Sequence, residues 1–240
     1  MDDRRRLLSL YAKLYAWAGP RHWWPAETPF EMIVGAILTQ SVAWRNVVQA
    51  IGNLKAAGLL APWALYRAEP GEIERCIVPT RYFRVKAKKL KAFVTHLCER
   101  YGGELEQLFA RPWPELRREL LGVYGLGPET VDSILLYAGR QPVFVVDAYT
   151  RRIFSRLGLV PEKIGYQALQ DYFMGLLPAE ERLFNEYHAQ LDGLGHRVCL
   201  AGKPRCAECP LREDCAVGRG ERRLAEDPGP EKQRRRKERL

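Results

Sequence analysis

The chain has 240 residues, 47% of them hydrophobic and 28% charged, a balance typical of an ordinary globular protein with enough length for one large domain or two small ones. No apolar run approaches the roughly 20 residues needed to cross a bilayer, and the N-terminal MDDRRRLLSLYAKLYAWAG lacks the compact apolar stretch and cleavage site of a secretory leader, so no membrane partner and, by default, a cytoplasmic location are expected. Of the net charge of +9, residues 219–240 account for +4 (nine Lys or Arg against five Asp or Glu), and the +5 left on the rest of the chain favours a polyanionic partner.

Taken in chain order, nearly every segment has helical periodicity and none alternates as a strand. An amphipathic helix opens the chain. Trp23-Trp24-Pro25 follows, an aromatic cluster that serves either as packing or as a flat π surface for an electron-poor base. Thr28-Pro29-Phe30-Glu31 reads as a capping box with proline at the first helical position; the helix it starts ends near Thr39 and Gln40. A second helix spans about 43–57, with Trp44 at its start. Further helices are expected over 70–77, 84–101, 112–121, 128–139, 147–157, 165–176 and 179–192, separated by Gly and Pro.

Leu120-Leu121-Gly122-Val123-Tyr124-Gly125-Leu126-Gly127-Pro128-Glu129-Thr130 joins two of these helices. Gly125 and Gly127 permit positive φ and close backbone approach, and Pro128 suits a first helical turn. A hairpin of this kind leaves backbone N–H groups at a helix start, where a phosphate can bind, although a plain helical turn would use the same glycines. After the second helix, Val145-Val146-Asp147 ends an apolar run and opens another helix, so Asp147 reads first as an N-cap. Cys199, Cys206, Cys209 and Cys215 crowd together with the spacing C-x6-C-x2-C-x5-C, which points to a metal centre, zinc or iron–sulfur, rather than to disulfides. Cys76 and Cys98 stand alone as buried thiols. Residues from about 219 onward read as a basic, disordered arm.

Hairpin, helix, then V-V-D opening a helix resembles the helix-hairpin-helix DNA glycosylases of the endonuclease III superfamily, over roughly residues 25–215. The resemblance implies an all-α fold of two helical lobes. One is a contiguous six-helix lobe, about 27–141, and carries the hairpin; the other joins 1–26 to 142–218 and ends in a [4Fe–4S] loop on the four cysteines. It implies double-stranded DNA with a damaged base as partner, and a monomer is expected. Asp147 would be the catalytic carboxylate. Gly125 and Gly127, with Lys203 and Arg205 of the cysteine loop, would hold phosphates. Gln40 would fill the gap left by a flipped base, and Tyr82 would enter the opposite strand.

The position of the lysine that gives bifunctional relatives their strand-cutting activity is occupied by Glu129, which cannot form an imine. That argues for a glycosylase that stops at the abasic site. W-W-P, L-T-Q and a later aromatic-rich K-A-K segment are similar to the 3-methyladenine glycosylases of the superfamily, which implies that Trp24 and Trp44 sandwich an alkylated purine. A damaged-pyrimidine or mismatch glycosylase, with or without lyase activity, is the alternative in this class. A non-catalytic DNA-binding module with a structural metal is the alternative outside it.

Overall fold

The computed structural model describes residues 2–222, and the segments of regular structure among them are all helical. The twelve α-helices are α1 (Asp3–Ala18), α2 (Pro29–Leu38), α3 (Trp44–Ala56), α4 (Pro62–Arg67), α5 (Pro70–Ile77), α6 (Phe83–Tyr101), α7 (Leu105–Phe109), α8 (Trp113–Leu121), α9 (Pro128–Ser133), α10 (Ala148–Leu157), α11 (Tyr166–Leu176) and α12 (Glu181–Arg197). Most of the predicted basic arm, from residue 223 on, lies outside the described residues.

The chain divides into two units. The first comprises His22–Val145 with Phe173–Glu186. Its core is built around α2, which is buried over its whole length from Phe30 to Leu38. A helix that is apolar all round must be central, and α3, α6 and the α8–α9 pair supply the surrounding layer, with Val47, Leu54, Leu90, Phe93, Leu97, Leu116 and Val131 fully buried. Thr28 caps α2 as predicted, accepting from the Glu31 N–H at 3.1 Å. The Glu31 carboxylate, however, accepts from Glu27 N–H rather than from Thr28, and pairs with Lys55 at 3.0 Å. Phe173–Glu186 belongs to this unit because Phe173 stacks on Phe144 (4.0 Å between centroids, 7° between planes) and Phe184 meets Phe144 edge-on at 5.4 Å.

Among the described residues, the second unit comprises 2–21, Val146–Tyr172 and 187–222. Leu7, Leu10 and Leu14 form the buried stripe of α1, and the Tyr187 hydroxyl donates to Leu7 O at 2.9 Å, fastening α1 to α12. Two short helices, α4 and α7, were not expected from the sequence. Each has under two turns and no side-chain N-cap hydrogen bond, so their periodicity is too brief to register.

Candidate functional site

The hairpin between α8 and α9 is set by its two ends and one glycine. Gly125 has φ +83°, and a Cβ there would meet Cγ of Lys89 at 2.2 Å, so the α6 lysine lies across the turn itself. Gly127 needs neither property expected of it: its φ is −91°, it is the N-cap of α9, and nothing lies within 4 Å of an added Cβ. Beneath the turn, Arg117 of α8 grips Asp132 of α9 through Nε (2.6 Å) and Nη2 (3.1 Å), and Asp132 is fully buried. A bidentate pair of this kind fixes the two helices in angle as well as distance. Gln40 joins the same assembly. Its Nε2 donates to Thr130 Oγ1 at 2.9 Å and to Gly125 O at 3.3 Å, and Lys89 Nζ donates to its Oε1. Glu129 is exposed in the first turn of α9.

Trp24 and Trp44 come together, but not as the parallel plates implied by the resemblance. Their rings meet edge-on, 5.3 Å apart and at 82°. Trp23 lies 5.3 Å from Trp24 and Tyr137 5.5 Å from it, making a cluster half-buried against the α2 core. Trp24 packs over Gly35 of α2, where a Cβ would sit 3.4 Å from its Nε1, an ordinary contact distance. The indole N–H groups of Trp23 and Trp24 are buried with no acceptor among the described residues. Tyr82 differs from this cluster in geometry: it is 73% exposed at the start of α6, with φ +41°, and Arg81 before it has φ +54°. Two consecutive non-glycine residues in the left-handed region cost energy. Ser41, next to Gln40, has φ +57° as well.

In the other unit Asp147 caps α10, accepting from Thr150 N–H at 2.6 Å. Its second oxygen lies 3.7 Å from Nε2 of His188 on α12, and both side chains are buried. Burial pushes the Asp147 carboxyl up, but His188 and the Thr150 N–H outweigh it and hold the carboxyl below its ordinary range. Asp147 is therefore a buried, ionised carboxylate with one oxygen committed to the cap.

The four clustered cysteines line one pocket, together with Arg156, Val198, Pro204, Arg212, Val217 and Gly218. None of the six cysteines forms a disulfide. Among the described residues no group of three His, Cys, Asp or Glu is placed to hold a metal ion. Backbone N–H groups of Leu211, and of Val217 and Gly218, point at the sulfurs of Cys209 and Cys215, and Arg156 Nη1 donates to Cys199 Sγ at 3.3 Å. Burial outweighs these contacts, pushing the Cys209 thiol up to about 11 and Cys215 upward as well. Donors aimed at sulfurs that burial keeps from ionising alone suit thiolates bound to a cationic metal centre. Lys203 is exposed, while Arg205 is exposed beside Glu208 at 3.9 Å.

Three participants went unread in the sequence: Arg117–Asp132, Lys89 over Gly125, and His188 beside Asp147. Each joins residues on different helices, and none has a spacing that announces its partner.

Residues 34–179 match the family described as HhH-GPD superfamily base excision DNA repair protein. The chain is 40% identical over 210 residues to a Methanocaldococcus jannaschii protein named "Putative DNA repair glycosylase", covering 87% of this chain and 95% of that one. It is 28% identical to endonuclease III of Thermotoga maritima, covering 80% and 87%. In fold it is similar to an endonuclease III trapped as a covalent intermediate on DNA (TM-score 0.79, 22% identity, 93% and 100% covered). It is also similar to Helicobacter pylori 3-methyladenine DNA glycosylase bound to 1,N6-ethenoadenine (TM-score 0.72, 24% identity, 84% and 100% covered). A family match across more than half of the sequence, with a near-full-length relative at 40% identity, makes this chain a member of the HhH-GPD superfamily, a DNA glycosylase of base excision repair.

Proposed function

We propose that this glycosylase is monofunctional: it hydrolyses the N-glycosidic bond of a damaged base in double-stranded DNA and leaves an intact abasic site, with Asp147 as the catalytic carboxylate. The observation that carries the reading is a buried carboxylate kept ionised by its surroundings, combined with glutamate at position 129. As the bond to the base lengthens, positive charge grows on the sugar, and a preorganised anion stabilises it most in a site that excludes water. Water completes the reaction at the sugar carbon, giving up a proton as the base leaves with the bonding electrons. The free oxygen of Asp147 can also accept a hydrogen bond from that water.

The substrate we assign is an alkylated purine. Its support is the Trp23–Trp24–Trp44–Tyr137 cluster, a π-rich surface suited to an electron-poor ring. In this arrangement the base stacks on the cluster rather than between two plates. Gln40 and Tyr82 are the residues facing the duplex, and the hairpin around Gly125 and Gly127, with Lys203 and Arg205, contacts phosphates. Cys199, Cys206, Cys209 and Cys215 would hold a [4Fe–4S] cluster, which when bound cross-links the C-terminal loop and supplies no step of base release. The protein acts as a monomer.

The test combines two measurements on methylated duplex DNA. Asp147→Asn, which keeps the capping ability, should fold and bind but release base slower by about two to three orders of magnitude. Borohydride should trap no covalent complex with the wild type. Efficient trapping would identify an amine nucleophile and overturn the monofunctional assignment.

A further inference from the structure

We propose that His188 is the positioning residue of Asp147, orienting and charging the carboxylate from the side opposite its helix cap without consuming the oxygen left for the reaction. The inference rests on the reading of Asp147 as the carboxylate at the reaction centre. Asp147 has one oxygen bound by the Thr150 N–H at 2.6 Å. At 3.7 Å from the other, His188 Nε2 is too distant for a hydrogen bond but close enough for strong attraction between buried charges. The side chains are only 8% and 11% exposed, so water screens the pair little. The second oxygen is thus aimed and kept anionic, yet retains its acceptor capacity.

The packing that brings the two together is specific. Gly195 of α12 lies directly against Tyr149 of α10, where a Cβ would meet the Tyr149 Cβ at 2.5 Å. Any larger residue would push α12 away from the helix that Asp147 caps. One turn beyond His188 on the same face of α12 comes Asp192, a second carboxylate. Burial pushes the Asp192 carboxyl up and Asp147 adds to the effect, while His188, His196 and Arg21 pull it down. Tyr149 and Tyr166 complete the surroundings, the latter accepting from Val146 N–H at 3.4 Å. An imidazolium at 188 lets Asp147 ionise beside another acid; with a neutral side chain there, the Thr150 cap would be left to oppose both burial and Asp192.

The experiment measures single-turnover base release from dimethyl sulfate-methylated duplex DNA against pH, for the wild type, His188→Gln, His188→Leu and Asp147→Asn. Removing the cation raises the pKa of Asp147, so the acidic limb of the rate should move to higher pH by about one unit in both His188 variants. At a pH on the acidic side of both limbs, activity should then fall roughly tenfold more than activity near pH 8. A purely structural histidine would lower melting temperature without moving that limb, and such a result overturns the proposal. A second arm needs no substrate and no His188 variant. The chain has four histidines, and the ring of His188, followed by NMR, should titrate about one unit lower in Asp147→Asn than in the wild type. Identical titrations would equally overturn it. If Asp147→Asn releases base at the wild-type rate, the reading of Asp147 fails instead; if that variant is inactive while the His188 limb stays put, only the present inference fails.

Discussion

Two buried residues carry charge for opposite reasons. Asp147 is charged because His188 and a helix N-terminus favour the anion. Lys86 is 3% exposed and donates to Leu38 O at 2.8 Å and Thr80 O at 2.7 Å, joining the end of α2 to the turn before α6. Burial, with Lys89 nearby, pushes its pKa down to about 8, below the unfolded value of about 10.4. The unfolded chain therefore binds this proton more tightly, so the contribution of Lys86 to stability rises as pH climbs from about 8 to about 10.4. Compared with Lys86→Met, the wild type should gain roughly 1–3 kcal/mol across that window, measured by urea unfolding at pH 7.5 and 10. A constant difference would mean that the lysine is not buried as a cation. Among the aromatics, Trp24 packs against Gly35 and Tyr137, so Trp24→Ala should cost about 3 kcal/mol of stability. Trp44 starts a helix and is half-buried, so Trp44→Ala should leave melting nearly unchanged while slowing release of a methylated purine about tenfold or more, as loss of one stacking contact predicts. Unchanged release would take Trp44 out of the base pocket.

At the scale of elements, the hairpin is held by the salt bridge beneath it as well as by its left-handed glycine. Arg117 and Asp132 are held at 2.6 Å with the carboxylate fully buried. Removing one partner of a buried pair weakens the compensation of the other's charge, so Arg117→Met should cost about 3–5 kcal/mol. Arg117→Met combined with Asp132→Leu should recover much of that loss, because apolar replacement of both partners removes the desolvation penalty. A double variant as unstable as the single one would show that geometry, not charge balance, is what the pair supplies. Gln40 reports on the same assembly. Its amide is tied to Gly125, Thr130 and Lys89, so the loop after α2 and the hairpin form one surface.

For the whole molecule the test is the metal. Four thiols around one pocket lead us to expect anaerobically purified protein to be brown, with about four irons and four labile sulfides per chain. Cys206→Ser should lose the colour and lower the melting temperature of the C-terminal segments. Colourless protein with stoichiometric zinc would replace the cluster with a simpler site. Affinity for duplex DNA should fall steeply with salt, as expected for a chain of net charge +9.

The sequence by itself determined what local chemistry can encode. Thr28 and Asp147 are caps because a side-chain oxygen reaches a backbone N–H three residues on, and that geometry needs no other part of the chain. The cysteine spacing, the turn at Gly125, the all-helical class and the glutamate at 129 were legible for the same reason. What only the tertiary structure decided lies in contacts between helices. The pattern could not reveal that Lys89 covers Gly125, that Asp132 is paired with Arg117, or that His188 faces Asp147, since each depends on the rotation of one helix against another. It also could not reveal that Trp24 and Trp44 meet edge-on, because an aromatic residue declares its apolar face but not its ring angle, which close packing against Gly35 and Tyr137 sets.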